Sequence, residues 1–174
     1  STQADGTADF VMKYWDIRFS NICNFACRSC GTWFSSNWYE DHIKINGGPP
    51  NHAKIIKVGR KADDMWEQVL ENIDHAEQFY FAGGEPLAAK EHYWILNYLI
   101  ENNNTDLIVE YNTNLSMLKN NKLKLSVVDY WKKFSSVVIR VSLDGSGKRA
   151  EYIRSGTDWK LIEENFRYVK ENLP

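Results

Sequence analysis

Tyr14-Trp15-Asp16-Ile17-Arg18-Phe19-Ser20 is the stretch that decides the fold. It alternates strictly. Trp15, Ile17 and Phe19 share one side, and Asp16, Arg18 and Ser20 share the other. Successive side chains of a strand point to opposite faces, so this segment predicts a strand with one apolar and one charged face. It runs directly into Cys23-Asn24-Phe25-Ala26-Cys27-Arg28-Ser29-Cys30, which contains all three cysteines of the chain.

The same parity recurs three times further along. Gln78 to Ala82 sets Phe79 and Phe81 against Gln78 and Tyr80. Leu107 to Thr113 sets Leu107, Val109 and Tyr111 against Glu110, Asn112 and, just past its end, Asn114. Ser136 to Leu143 sets Val137, Ile139, Val141 and Leu143 against Arg140, Ser142 and Asp144. Helical patterns separate these strands. One carries Trp38, Tyr39 and Ile43 after a cap at Ser35-Ser36 and ends at Asn46-Gly47-Gly48-Pro49-Pro50-Asn51. A second starts from Asp63 or Asp64 and runs through Ile73, a third spans Ala88 to Asn102, and a fourth Ser126 to Phe134. A short helical turn is expected over Ala150 to Arg154. A last helix follows from a cap at Thr157 or Asp158 through Asn172, with Leu161, Ile162, Phe166 and Val169 buried. Ala53 to Arg60 reads either as an inserted loop or as a short strand.

Four βα repeats imply a parallel sheet with right-handed crossovers. A doubly wound sheet buries both faces, and its strands read as continuous apolar runs. These strands keep one polar face each. The expectation is therefore an α/β fold of partial parallel βα barrel type, with about four βα units, helices outside and a polar lumen. An α+β sheet with one solvated face is the alternative, and it is rare for parallel strands. In the lumen, Asp16, Arg18, Glu110 and Arg140 either pair with one another or await a charged ligand.

Composition agrees with a single globular domain: 174 residues, 43% hydrophobic and 14% aromatic. A net charge of -2 gives no case for a nucleic-acid or membrane surface. No apolar run approaches the roughly 20 residues of a membrane span. Residues 1–9 are small and polar and read as frayed or left by expression, with the domain from 10 to 174. An odd number of clustered cysteines is a poor disulfide framework, so metal binding in a reducing cytoplasm is expected.

Active residues of parallel βα sheets gather at the carboxyl ends of the strands. The four ends here carry the cysteine triplet, Gly83-Gly84-Glu85-Pro86, Asn112-Thr113-Asn114 and Ser142-Leu143-Asp144-Gly145. Thiolates are soft ligands that suit iron–sulfur clusters. Three of them can each hold one corner of a cubane, leaving the fourth iron without a protein ligand. Structural zinc would need a fourth ligand. His42, His52, His75 and His92 stand at no motif spacing and are expected to be surface or helix residues.

Cys23-x3-Cys27-x2-Cys30 after a first strand, joined to Gly83-Gly84-Glu85-Pro86 after a second, resembles the radical S-adenosylmethionine (radical SAM) enzymes. Ser142-Leu143-Asp144-Gly145 and Tyr152-Ile153-Arg154-Ser155-Gly156 resemble the branch with SPASM or twitch C-terminal domains. The resemblance runs from about Asp16 to Leu173. It implies that Cys23, Cys27 and Cys30 ligate a [4Fe–4S] cluster whose open iron is chelated by SAM. Reductive cleavage of SAM would then give a 5′-deoxyadenosyl radical that abstracts hydrogen from substrate. It implies that Gly83, Gly84 and Glu85 receive the SAM ammonium, that Ser142 and Asp144 suit ribose hydroxyls, that Arg154 suits the SAM carboxylate, and that Asn112 and Asn114 line the same pocket. It also implies an electron donor such as a flavodoxin or ferredoxin, and a substrate of unknown identity for which the branch suggests a peptide. Two competing readings are an iron–sulfur carrier or electron-transfer module, and an inactive truncated scaffold.

The chain departs from the family pattern in three places. The residue before the third cysteine, usually aromatic, is Ser29, and Trp33 or Phe34 stands nearby to take its part. The family core has six βα units against about four here, and its strand-five adenine motif is absent. No cysteines remain for auxiliary clusters. The expectation is the N-terminal portion of a longer enzyme.

Overall fold

The computed structural model of the chain describes residues 2–8, 11–59, 62–120 and 125–173, with side chains 62–65, 120 and 125 outside the description. In chain order the elements are β1 (Tyr14–Ile17), β2 (Ala26–Cys27), α1 (Trp38–Asn46), α2 (Ala62–Leu70), β3 (Gln78–Phe81), α3 (Lys90–Glu101), β4 (Ile108–Thr113), β5 (Lys119–Asn120), β6 (Leu125–Ser126), α4 (Val127–Trp131), β7 (Ser136–Val141), α5 (Gly147–Ile153), β8 (Arg154–Ser155) and α6 (Trp159–Asn172). Single 3-10 turns sit at Ile73–His75 and Pro86–Ala88.

The four predicted strands form one parallel sheet in the order β1-β3-β4-β7. In register, Trp15 lies beside Phe79 and Phe79 beside Val109, so the apolar parities line up across the sheet. Phe79, Phe81, Val109 and Tyr111 are fully buried under α3 and α4, against Leu96, Leu99, Val127, Val128 and Trp131. Ring contacts extend along this face: Trp15 stacks on Phe79 at 5.8 Å and Phe79 on Phe81 at 5.8 Å, while Tyr111 meets Trp131 tilted, at 5.2 Å. Each fully buried aromatic contributes roughly 2–3 kcal/mol from area alone. This is the partial parallel barrel architecture that the strand parity predicts.

The opposite face is polar and self-paired. Arg18 Nε and Nη2 each donate to Asp16 at 3.1 Å. Gln78 donates to Glu110 at 2.8 Å, and Glu110 also takes Arg140. The lumen charges therefore satisfy one another.

Several boundaries differ from the sequence reading. Asn37, not Ser35-Ser36, precedes α1, because both serines are buried and Ser35 Oγ donates to the Phe25 carbonyl at 2.6 Å. Asp63 and Asp64 fall inside α2 rather than before it, and their capping lies outside the described side chains. Residues 56–58 run antiparallel beside the continuation of β1, with Asn21 N–H on Ile56 O and Val58 N–H on Phe19 O; Arg60 lies outside the described residues. The fourth helix shortens to α4. The turn expected at Ala150 to Arg154 divides into α5 and β8.

Asp158 caps α6 by accepting from Leu161 N–H, as expected. The expected buried stripe does not follow. Ile162 is buried, but Leu161 and Phe166 are 38% and 52% exposed. His92 is a helix residue, one of the two places expected for it, and on α3 it is fully buried, with Nε2 2.9 Å from the Tyr111 hydroxyl. The sheet and three aromatic neighbours enclose it, which no local pattern signals.

Candidate functional site

The carboxyl ends of the four strands converge as predicted. A cavity of about 230 Å³ is lined by Cys23, Cys27 and Cys30, by Gly83, Gly84 and Glu85, by Asn112 and Asn114, and by Ser142 and Arg154. Of the residues assigned from sequence, only Asp144 stays off its wall. Asp144 instead places Oδ2 2.7 Å from Arg154 Nε, as an ion pair rather than an aligned hydrogen bond. Arg18, Phe25, Ser29, Phe34, Ala82 and Thr113 complete the lining.

The cysteine loop is held from four directions. Trp38 Nε1 of α1 donates to the Cys27 carbonyl at 2.8 Å. Asn21 is buried and anchors the loop entrance, donating to the carbonyls of Thr32 and Lys54 and accepting from Ile56 N–H. Asn24 bonds Ser116 at 2.7 Å and accepts from Asn114 at 2.9 Å, which ties the loop to the end of β4. From the other side, β8 pairs antiparallel with β2 and sets Arg154 opposite Cys27.

Gly83 and Gly84 have a structural reason beyond ligand approach. Gly84 N–H and Glu85 N–H donate to the carbonyls of Ser20 and Ile22, zipping this turn onto the loop entrance. A Cβ on Gly84 would lie 2.2 Å from the Ile22 carbonyl oxygen. Gly83 has φ of 105°, which a side chain rarely tolerates.

Glu85 is 2% exposed, and both its oxygens are engaged. Oε1 accepts from Thr113 Oγ1 at 2.7 Å and from Leu87 N–H at 3.2 Å, and Oε2 accepts from Asn114 N–H at 2.8 Å. The carboxylate therefore latches the end of β3 to the end of β4. Burial pushes its pKa up to about 7, against the pull of these bonds. Sequence reasoning set Thr113 at a strand end without giving it a role, and it missed Asn21. The signal for Thr113 was its place among short polar residues at the end of β4, which reads equally as a turn, and Asn21 carried no such signal.

Burial pushes the Cys23 thiol up to about 11. Burial also raises Cys27, while the Arg154 charge opposes the rise. Both are thiols at neutral pH, so a metal bound there would have to displace their protons. Among the described residues, no three His, Cys, Asp or Glu side chains are grouped tightly enough for a single metal ion. A cubane asks for something else, one thiolate per iron, and three thiols lining one cavity fit that donor set.

A second cavity of about 220 Å³ adjoins the first, sharing Arg18, Phe34, Gly83 and Gly84, with Trp33, Ile56, Lys57 and Val58 beyond. Phe34 and Trp33 are both exposed, and Trp33 rests on His52 at 4.2 Å. Among the described residues, no helix is long and apolar enough to cross a membrane.

Two comparisons bear on this arrangement. No curated protein matches the chain. The family model described as the Radical SAM superfamily matches residues 17–174.

Proposed function

The chain belongs to the radical SAM superfamily, and from that premise we propose that its cavity binds a [4Fe–4S] cluster on Cys23, Cys27 and Cys30 together with SAM. When bound, the pair supplies one-electron cleavage of SAM to a 5′-deoxyadenosyl radical, which removes hydrogen from a substrate. The observation that carries this reading is that all three cysteines and Gly83, Gly84 and Glu85 line one cavity.

The chain's own groups have definite tasks in that reading. The cysteine loop presents its thiolates from a frame fixed by Asn21, Trp38 and Asn24. Glu85 Oε2 accepts one hydrogen bond and has capacity for another, which suits the SAM ammonium. A cation there draws the Glu85 pKa down again and keeps the latch ionised. Asn112 and Ser142 suit ribose hydroxyls, Asn114 orients Asn24, and Asp144 acts only through Arg154. Phe34, between the two cavities, takes the place that Ser29 leaves empty for adenine. Phe25 is buried beside Cys27 and excludes water from that ligand.

The motifs around Asp144 and Arg154 support the SPASM or twitch branch, that branch suggests a peptide substrate, and the one-electron chemistry calls for a donor such as a flavodoxin or ferredoxin. The test is anaerobic reconstitution with iron and sulfide, reduction, and addition of SAM. The reading expects 5′-deoxyadenosine and methionine in equal amounts. A reduced cubane that leaves SAM intact would make the protein a cluster carrier instead.

A further inference from the structure

Arg154 is placed by more contacts than a ligand-binding side chain needs. Its backbone is paired with Cys27 in the β2–β8 ladder. Arg28 N–H of the cysteine loop donates to the Ile153 carbonyl at 2.8 Å, and the Arg28 guanidinium lies 3.9 Å over the Tyr152 ring. Two residues after Arg154, Gly156 passes so close to the loop that a Cβ would sit 3.0 Å from the Asn24 carbonyl oxygen. Residues 152–156 thus strap the loop directly over its central cysteine. The Arg154 side chain is 16% exposed, with Asp144 Oδ2 against Nε and Nη1 donating to Cys27 Sγ at 3.6 Å.

We infer that Arg154, oriented by Asp144, is a positioning residue whose guanidinium hydrogen-bonds the Cys27 sulfur in the loaded protein and raises the reduction potential of the cluster. The resemblance alone implies a different partner, the SAM carboxylate. Geometry favours the sulfur, because the strap fixes the guanidinium to Cys27 before any ligand arrives. The physical reason is general: a cationic N–H donor on a ligating thiolate withdraws charge from the cluster and eases its reduction. The inference rests on the cluster assignment above.

The test is the midpoint potential of the reconstituted, SAM-free protein, read by EPR during a reductive titration. Arg154→Gln is expected to keep the full iron content and shift the midpoint to a lower potential than wild type. An unchanged midpoint with weakened SAM binding would overturn the inference and return Arg154 to the SAM carboxylate. Should the Gln variant fail to assemble a cluster, Arg154→Met is read in the same way; it keeps the stem length, and leaves Asp144, 40% exposed, able to hydrate. A wild-type protein that takes up no cubane would bring down the cluster assignment itself, a result distinct from a cubane with an unmoved midpoint.

Discussion

Glu85 and His92 are both buried and both perturbed, with opposite consequences for stability. Glu85 has its folded pKa raised to about 7 from 4.5, chiefly by burial. The folded state then holds a proton that the unfolded state releases, so its contribution to stability falls as pH rises from 4.5 to 7. His92 has its folded pKa lowered to about 3 from 6.5 by burial. The unfolded state then takes up a proton that the folded state refuses, so stability falls as pH drops from 6.5 towards 3. The two effects oppose each other between 4.5 and 6.5. Glu85→Gln removes one of them, and its amide nitrogen cannot accept from Asn114 N–H. The variant should lose about 1–3 kcal/mol for the unsatisfied donor, and the loss should be larger at pH 5 than at pH 7.5. Urea unfolding of the metal-free protein at both values checks this, and an equal loss at both would contradict the assigned pKa.

At the scale of elements, the zipper between residues 83–85 and 20–22 makes the cysteine loop and the glycine turn one unit. Gly84→Ala forces a methyl into the Ile22 carbonyl, 2.2 Å away, and should destabilise the chain by about 1–3 kcal/mol. The same variant should let Cys23, half-buried in the native loop, react several-fold faster with a thiol reagent. Wild-type stability with wild-type thiol reactivity would mean that the loop does not depend on the turn. This zipper also marks what the sequence could and could not show. Strand parity was legible because burial of one face imposes a period of two, and all four sheet strands obey it. The β2–β8 ladder was not, since two-residue strands carry no period. The Glu85 latch closes on Thr113 and Asn114, nearly thirty positions away, and distance in sequence hides it. The α6 stripe has helical spacing, but spacing states only that a face exists; Phe166 shows that it need not be covered.

For the molecule as a whole, the sheet is the support on which the chemistry is mounted. Its apolar face is fixed by stacked rings under the helices, and its polar face is closed by the Asp16–Arg18 and Glu110–Arg140 pairs. The strand ends then have only to present loops, and each of the four contributes to one cavity. That convergence gives the family membership its meaning at residue level, since three thiols in one cavity would leave the fourth iron of the proposed cubane without a protein ligand. The most direct measurement is the EPR spectrum of the reduced, reconstituted protein before and after SAM is added. The account predicts a [4Fe–4S] signal in the wild type that changes when SAM binds, and its loss in Cys27→Ala. A cubane signal retained in Cys27→Ala, or a wild-type signal indifferent to SAM, would contradict it.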